Sequence, residues 1–171
     1  FQDPDDQMVT ATVGEELALG RPGIEVTRVL GEWQLVGREA EDPRLLSAGQ
    51  KQRLQLAVVL GGGPQLLLAD EPSSLQDPAQ AAWVRERLLQ WRAESGGTLV
   101  WATQRGEEVA AADRVLVLGA GRVEAIGSPG EVLSELNSLL DCGPFAPAQM
   151  ATSRGEPVAA WENVGCRLAP G

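Results

Sequence analysis

The chain has 171 residues, 43% of them apolar, which suffices for one domain with a sizeable core. Its 24 acidic and 14 basic side chains leave a net charge of −10, which sets aside DNA, RNA and anionic membrane surfaces as direct partners. The absence of histidine argues against a zinc site, and no apolar run approaches the ~20 residues that cross a bilayer.

In chain order, residues 1–7 read as a polar turn with one proline. A helix is expected over 12–19, because Thr12 is followed three positions on by Glu15 in a capping-box pattern. Pro22-Gly23 breaks the chain. Residues 24–36 carry apolar side chains at 26, 29, 30 and 33, a helical period. After a loop at 39–43, a helix is expected over 49–60, closed by Gly61-Gly62-Gly63-Pro64. Residues 65–69 read as a strand buried on both faces. A helix follows at 79–94, with Val84, Leu88 and Trp91 on one stripe. Then come strands at 98–102 and 114–118 with a short helix at 107–112 between them, a shorter strand at 122–126 and a last helix at 129–140.

Alternation of strands and helices implies an α/β fold with a largely parallel sheet. The helical stretch before it reads as a separate subdomain. The expected division is therefore 1–64 helical, 65–140 α/β core, 141–156 a linker rich in Pro, Ala, Gly and Ser, and 157–171 the start of a further domain. Cys142 and Cys166 have no ligand-like spacing and suit a reducing compartment.

Two segments carry chemistry. Ser47, Ala48, Gly49 and Gln50 open a helix, with Ser47 and Gln50 at capping-box spacing and Gly49 leaving room for close backbone approach. First-turn N–H groups and the positive dipole end then suit an anion, although an ordinary capped helix has the same pattern. Asp70 and Glu71 end an apolar strand, at the edge where open α/β sheets bind ligands. Asp70 suits magnesium held through water, and Glu71 suits proton abstraction from a water. A solvated acidic turn closed by Pro72 is the alternative.

Taken together, Leu46-Ser47-Ala48-Gly49-Gln50, a helix, a proline turn, four apolar residues and Asp70-Glu71-Pro72 resemble the signature and Walker B segments of ABC ATPases. Asp77-Pro78 is similar to the family's D-loop, and Asp113-Arg114 and Gly121-Arg122 also fit the family. Phe1-Gln2-Asp3-Pro4-Asp5-Asp6-Gln7 resembles the Q-loop of the cobalt and energy-coupling-factor branch. The resemblance covers residue 1 to about 140. It implies a partial ABC-type P-loop NTPase fold with ATP and Mg2+ as cofactors. It implies that Gln2 reaches magnesium and the attacking water, that Asp70 serves the metal, and that Glu71 is the general base. It further implies that Ser47, Ala48, Gly49 and Gln50 hold ATP bound to an opposing domain, and that Asp77 crosses the interface. Two such domains would sandwich two ATP molecules and drive a transmembrane coupling subunit beside a substrate-binding membrane subunit.

Several positions depart from the family pattern. The Walker A form G-x-x-x-x-G-K-[ST] does not occur, and the only lysine is Lys51. Truncation upstream of Phe1 is the expected reason, so this chain alone should hydrolyse no ATP. Gln104 stands in place of the switch histidine, Ala48 in place of a glycine, and Leu75-Gln76 in place of a small residue and leucine. These departures imply an asymmetric pair with one weak site. Pro157-Val158-Ala159-Ala160-Trp161-Glu162-Asn163-Val164 resembles the opening strand of a second ABC domain, implying a tandem polypeptide. The leading expectation is the ATPase of an energy-coupling-factor-type importer, peripheral on the cytoplasmic membrane face. The alternatives are a soluble non-transport ABC protein and a non-hydrolysing half that serves as an interaction module. Two further features read as ordinary structure. Gly119-Ala120-Gly121 reads as a strand-to-strand turn, not a dinucleotide fingerprint, and the five tryptophans read as packed or half-buried.

Overall fold

The computed structural model describes residues 8–119 and 121–139, the side chains of 135–139 excepted. Its compact units do not follow a single cut in the chain. One runs to Gln65 and takes in Pro72–Ser95, and the other takes Leu66–Glu71 and resumes at Gly96.

The first unit is helical. Helix α1 (Val13–Ala18) starts at the expected box, with the Thr12 hydroxyl accepting from the Glu15 N–H and the Glu15 carboxylate accepting from the Thr12 N–H. Two more of its first-turn donors are met by a returning loop, Val13 N–H on the Glu41 carbonyl and Gly14 N–H on that of Glu39, both at 2.9 Å. A Cβ on Gly14 would lie 3.2 Å from that Glu39 carbonyl, so the loop's approach explains the glycine. Buried Glu16 accepts from the Val9 and Thr10 N–H groups and the Thr10 hydroxyl, tying the preceding segment to α1.

Helix α2 (Val26–Glu32) is shorter than its apolar period suggests. Gln34 takes a left-handed φ of 56°, the Leu35 N–H reaches the Leu30 carbonyl at 2.8 Å, and the Gln34 N–H reaches that of Gly31 at 3.2 Å. This is a Schellman stop with glutamine where glycine is usual, backed by buried Leu30 and Leu35. A 3-10 turn (Pro43–Leu45) leads into α3 (Ala48–Gly61), whose Leu54, Leu56 and Ala57 are buried. Helix α4 (Pro78–Ser95) buries Ala81, Val84 and Leu88. It meets α2 where Trp83 and Trp33 stack edge to face at 5.7 Å and the Arg87 guanidinium lies 5.4 Å from the Trp33 ring centre.

The second unit carries the strands. Strand β1 (Leu66–Asp70) pairs in parallel with β2 (Thr98–Ala102), in the register Leu66 to Thr98 through Asp70 to Ala102. Helix α5 (Gly106–Ala110), strands β3 (Val115–Gly119) and β4 (Arg122–Gly127), and helix α6 (Pro129–Leu139) follow. Val109, Val115, Val117 and Val132 form a buried cluster of their own.

Mixed α/β architecture stands as expected, but two details differ. Strand β3 pairs antiparallel with β4 and does not extend the parallel pair. The turn between them is the strand-to-strand connection expected around Gly119 and Gly121, where Gly121 has φ 75°. Strand β1 is not buried on both faces: Leu67 and Ala69 are buried while Leu66 and Leu68 are 53% and 69% exposed. Apolar residues on both faces show what a strand could bury. What covers each face is a tertiary matter. Of the tryptophans, Trp33 and Trp101 are buried and Trp83 and Trp91 half-buried, while Trp161 lies outside the described residues.

Candidate functional site

In the helical unit, Ser47 is the N-cap of α3, with extended backbone (φ −63°, ψ 157°). Its hydroxyl accepts from the Gln50 N–H at 3.3 Å, and the Gln50 amide oxygen accepts from the Ser47 N–H at 2.9 Å. The box consumes the Gln50 donor and leaves the N–H groups of Ala48 and Gly49 as the outer donors of the first turn. Ser47 and Ala48 are exposed. A phosphate oxygen fits this arrangement, because donors and dipole point the same way.

Gly49 has a reason that its sequence context did not reveal. A Cβ there would lie 2.8 Å from the Gln76 amide oxygen and 3.1 Å from the Leu75 carbonyl. Its bareness admits the chain's own 75–76 segment, not only a ligand. Asp77 follows, exposed, with its carboxylate accepting from the Gln80 N–H at 2.9 Å at the start of α4. Arg53 is buried nearby, and desolvation lowers its pKa while the Asp77 charge opposes the shift.

In the strand unit, Asp70 is exposed at the carboxyl end of β1. Glu71 leaves the strand at φ 44°, a left-handed conformation that costs an L-residue about 1–3 kcal/mol. Its N–H still reaches the Ala102 carbonyl at 2.9 Å, so the turn stays attached to β2. Gln104, just past β2, donates from Nε2 to the Glu71 carboxylate at 2.8 Å. The turn carrying Gln104 is pinned on both sides. Buried Thr103 donates its hydroxyl to buried Glu108 and accepts the Arg105 N–H at 3.0 Å.

The pairing of Glu71 with Gln104 spans 33 residues and has no local sequence signal. The supporting roles of Thr103, Glu108 and Gln76 have no local signal either, apart from the adjacency of Thr103 to Gln104. Gln2 and the segment resembling a second domain lie outside the described residues.

Among the described residues no three carboxylates or cysteines converge on one point. A lone exposed carboxylate still suits Mg2+, which is usually held by one or two carboxylates together with substrate phosphates and water. Asp70 therefore fits the metal that the family implies. No helix among the described residues is long and apolar enough to cross a membrane.

Comparison with known proteins shows the family. Residues 1–74 match the family model described as ABC transporter. An energy-coupling factor transporter ATP-binding protein EcfA1 from Symbiobacterium thermophilum is 37% identical, with 86% of this chain and 56% of that protein covered. The EcfA1 of Lactiplantibacillus plantarum is 33% identical over 95% of this chain and 67% of its own. The chain thus spans little more than half the length of the first of these relatives. In three dimensions it is similar to CbiO1 of Clostridium perfringens, part of the ABC transporter complex CbiONQ. That likeness has a TM-score of 0.65 and 30% identity, over 81% of this chain and 59% of that one. An ATP-binding cassette solved as a dimer in a post-hydrolysis state with ADP and Pi gives the same TM-score at 27% identity, over 75% of this chain and 61% of that one. With its acid pair at a strand end and its capped Ser-Ala-Gly-Gln turn, the chain belongs to the ABC transporter ATP-binding family.

Proposed function

We propose that this chain supplies halves of two ATP sites in an ATPase that energises an energy-coupling-factor-type importer. The observation that carries the proposal is the strained Glu71 at the end of β1, held by Gln104. Glu71 takes the proton from an attacking water. Gln104 aims the Glu71 carboxylate, and Asp70 holds Mg2+ through water. Magnesium, when bound, neutralises charge on the phosphates. Ser47, Ala48, Gly49 and Gln50 form the turn that meets ATP held by an opposing ATPase domain, with the Ala48 and Gly49 N–H groups as its donors, and Asp77 reaches across to that domain. The buried Lys51 lies within α3 and is the only lysine, so these 171 residues by themselves hydrolyse no ATP.

The EcfA1 and CbiO1 likenesses support the rest of the reading. It includes a peripheral position on the cytoplasmic membrane face, a transmembrane coupling subunit and a substrate-binding membrane subunit for a metal ion or vitamin. A second ATPase domain in the same polypeptide rests instead on the resemblance of residues 157–164 to the opening strand of such a domain. The test is Glu71→Gln in the full polypeptide that carries this sequence. Hydrolysis should fall by about 10²–10⁴ while ATP is still bound. Undiminished hydrolysis would overturn the assignment.

Gln104 favours a slow half-site. An amide donates a hydrogen bond but cannot become a cation, and losing a transition-state donor costs roughly 10²–10³ in rate. The amide recovers only part of that. Gln104→His should therefore speed turnover by part of that factor, about tenfold. A rate left unchanged in single-turnover assays would show that the amide suffices.

A further inference from the structure

Gln76 stands in the turn between Glu71 and α4, where its N–H closes on the Ser73 carbonyl at 3.2 Å. Its side chain reaches to α3. Nε2 donates to the Gly49 carbonyl at 2.7 Å and to the Gln52 amide oxygen at 3.2 Å. The Gln76 amide oxygen accepts from Arg53 Nη1 at 3.3 Å, and the same Nη1 donates to Gln80 at 3.0 Å. Gln80 in turn donates its N–H to Asp77. Both amide protons of Gln76 are thereby used.

One side chain thus joins the first turn of α3 to the turn that carries Asp77. The shortest of its bonds ends on the carbonyl of Gly49, and the missing Cβ of Gly49 is what lets the Gln76 amide and the Leu75 carbonyl come so close. A leucine, which the family pattern puts at this position, could make none of these bonds.

We propose that Gln76 is a positioning residue that locks the phosphate-facing turn of Ser47, Ala48 and Gly49 to the Asp77 turn, so that both meet the opposing domain as one piece. This rests on the reading that those two turns face an opposing ATP-bearing domain. A displacement of the Asp77 turn is then transmitted to the Ala48 and Gly49 N–H groups through a bond network that requires an amide.

The test uses the full polypeptide with Glu71→Gln, so that the ATP-closed state accumulates. It compares Gln76 with Gln76→Leu and Gln76→Glu. Glutamate keeps an acceptor for Arg53 but loses both Nε2 bonds and sets a carboxylate against the Gly49 carbonyl. Both variants should weaken ATP-dependent closure, read by cross-linking of the two ATPase domains, by about tenfold. ADP affinity in the open state should stay that of the parent. In the Glu71 form, kcat should fall with KM little changed. If Gln76→Glu closes as well as the parent, Gln76 serves only to satisfy Arg53 and the inference is overturned. A parent that shows no ATP-dependent closure would instead sink the underlying functional reading.

Discussion

The turn that opens α3 and the turn that ends β1 both present polar groups to solvent, but they hold them differently. At Ser47 the capping bonds are local, the backbone is relaxed and the box closes within four residues, the one long-range bond of the turn being that from Gln76 to the Gly49 carbonyl. At Glu71 the backbone sits in a left-handed conformation, and the partner that steadies the carboxylate comes from the turn after the next strand. A donor turn that receives a phosphate needs only to be capped and rigid. On the proposed function, a carboxylate that must meet a water needs a set direction, and here that direction would come with backbone strain.

Glu71→Gly probes this contrast with the largest expected effect. Glycine takes φ 44° without a steric penalty, so the variant should lose hydrolysis by about 10²–10⁴ while unfolding later, by about 1 kcal/mol. Urea titration measures the second half of the expectation. A variant less stable than the parent would mean that the surroundings of Glu71 relieve the strain, and the contrast between the turns would fail.

The same contrast explains what could be read before the structure was known. Both capping boxes, Thr12 with Glu15 and Ser47 with Gln50, follow from a three-residue spacing, because the groups that bond are neighbours in the chain. The strand that ends in Asp70 and Glu71 was legible as an apolar run before two acids. The left-handed φ of Glu71 and its bond to Gln104 were not, since nothing local marks either. Gln34 hid the end of α2 for a related reason: a Schellman stop is expected at glycine, and here glutamine takes the left-handed position. Gln76 was noticed only as a departure from the family pattern. Its role appears once α3 and the 75–76 segment are seen side by side.

Ser47→Ala sharpens the relaxed half of the comparison with a smaller effect. Loss of the hydroxyl frees the Gln50 N–H and should destabilise the helical unit by about 1 kcal/mol. Ser47→Asp keeps an N-cap acceptor and should restore that stability. It should also lower ATP-dependent closure, because a carboxylate then faces the phosphate. If alanine lowers closure but not stability, Ser47 acts on the nucleotide and not on the helix. The cap would then not be what holds the turn.

The smallest effect concerns the approach to that turn. Asp42 accepts from Arg44 Nε at 2.9 Å and Nη2 at 3.0 Å, and its Oδ1 also caps the 3-10 turn by accepting the Arg44 N–H. The Arg44 side-chain bonds, then its backbone bond, hold the Asp42 pKa below the ordinary aspartate value. A depressed carboxylate contributes stability that is fully present above its unfolded pKa and is lost as pH falls through the folded one. In the strand unit Glu131 has the same sign, lowered first by the Ser128 backbone bond and then by the Ser128 side chain. Both contributions are therefore intact at neutral pH and fade only in the acid range below ordinary carboxylate values. Asp42→Asn keeps a capping side chain but cannot titrate. Its unfolding midpoint should lie below the parent's at neutral pH, and the two should converge as pH drops through that range. Parallel curves down to the lowest pH would show that the Arg44 bonds add nothing to the approach.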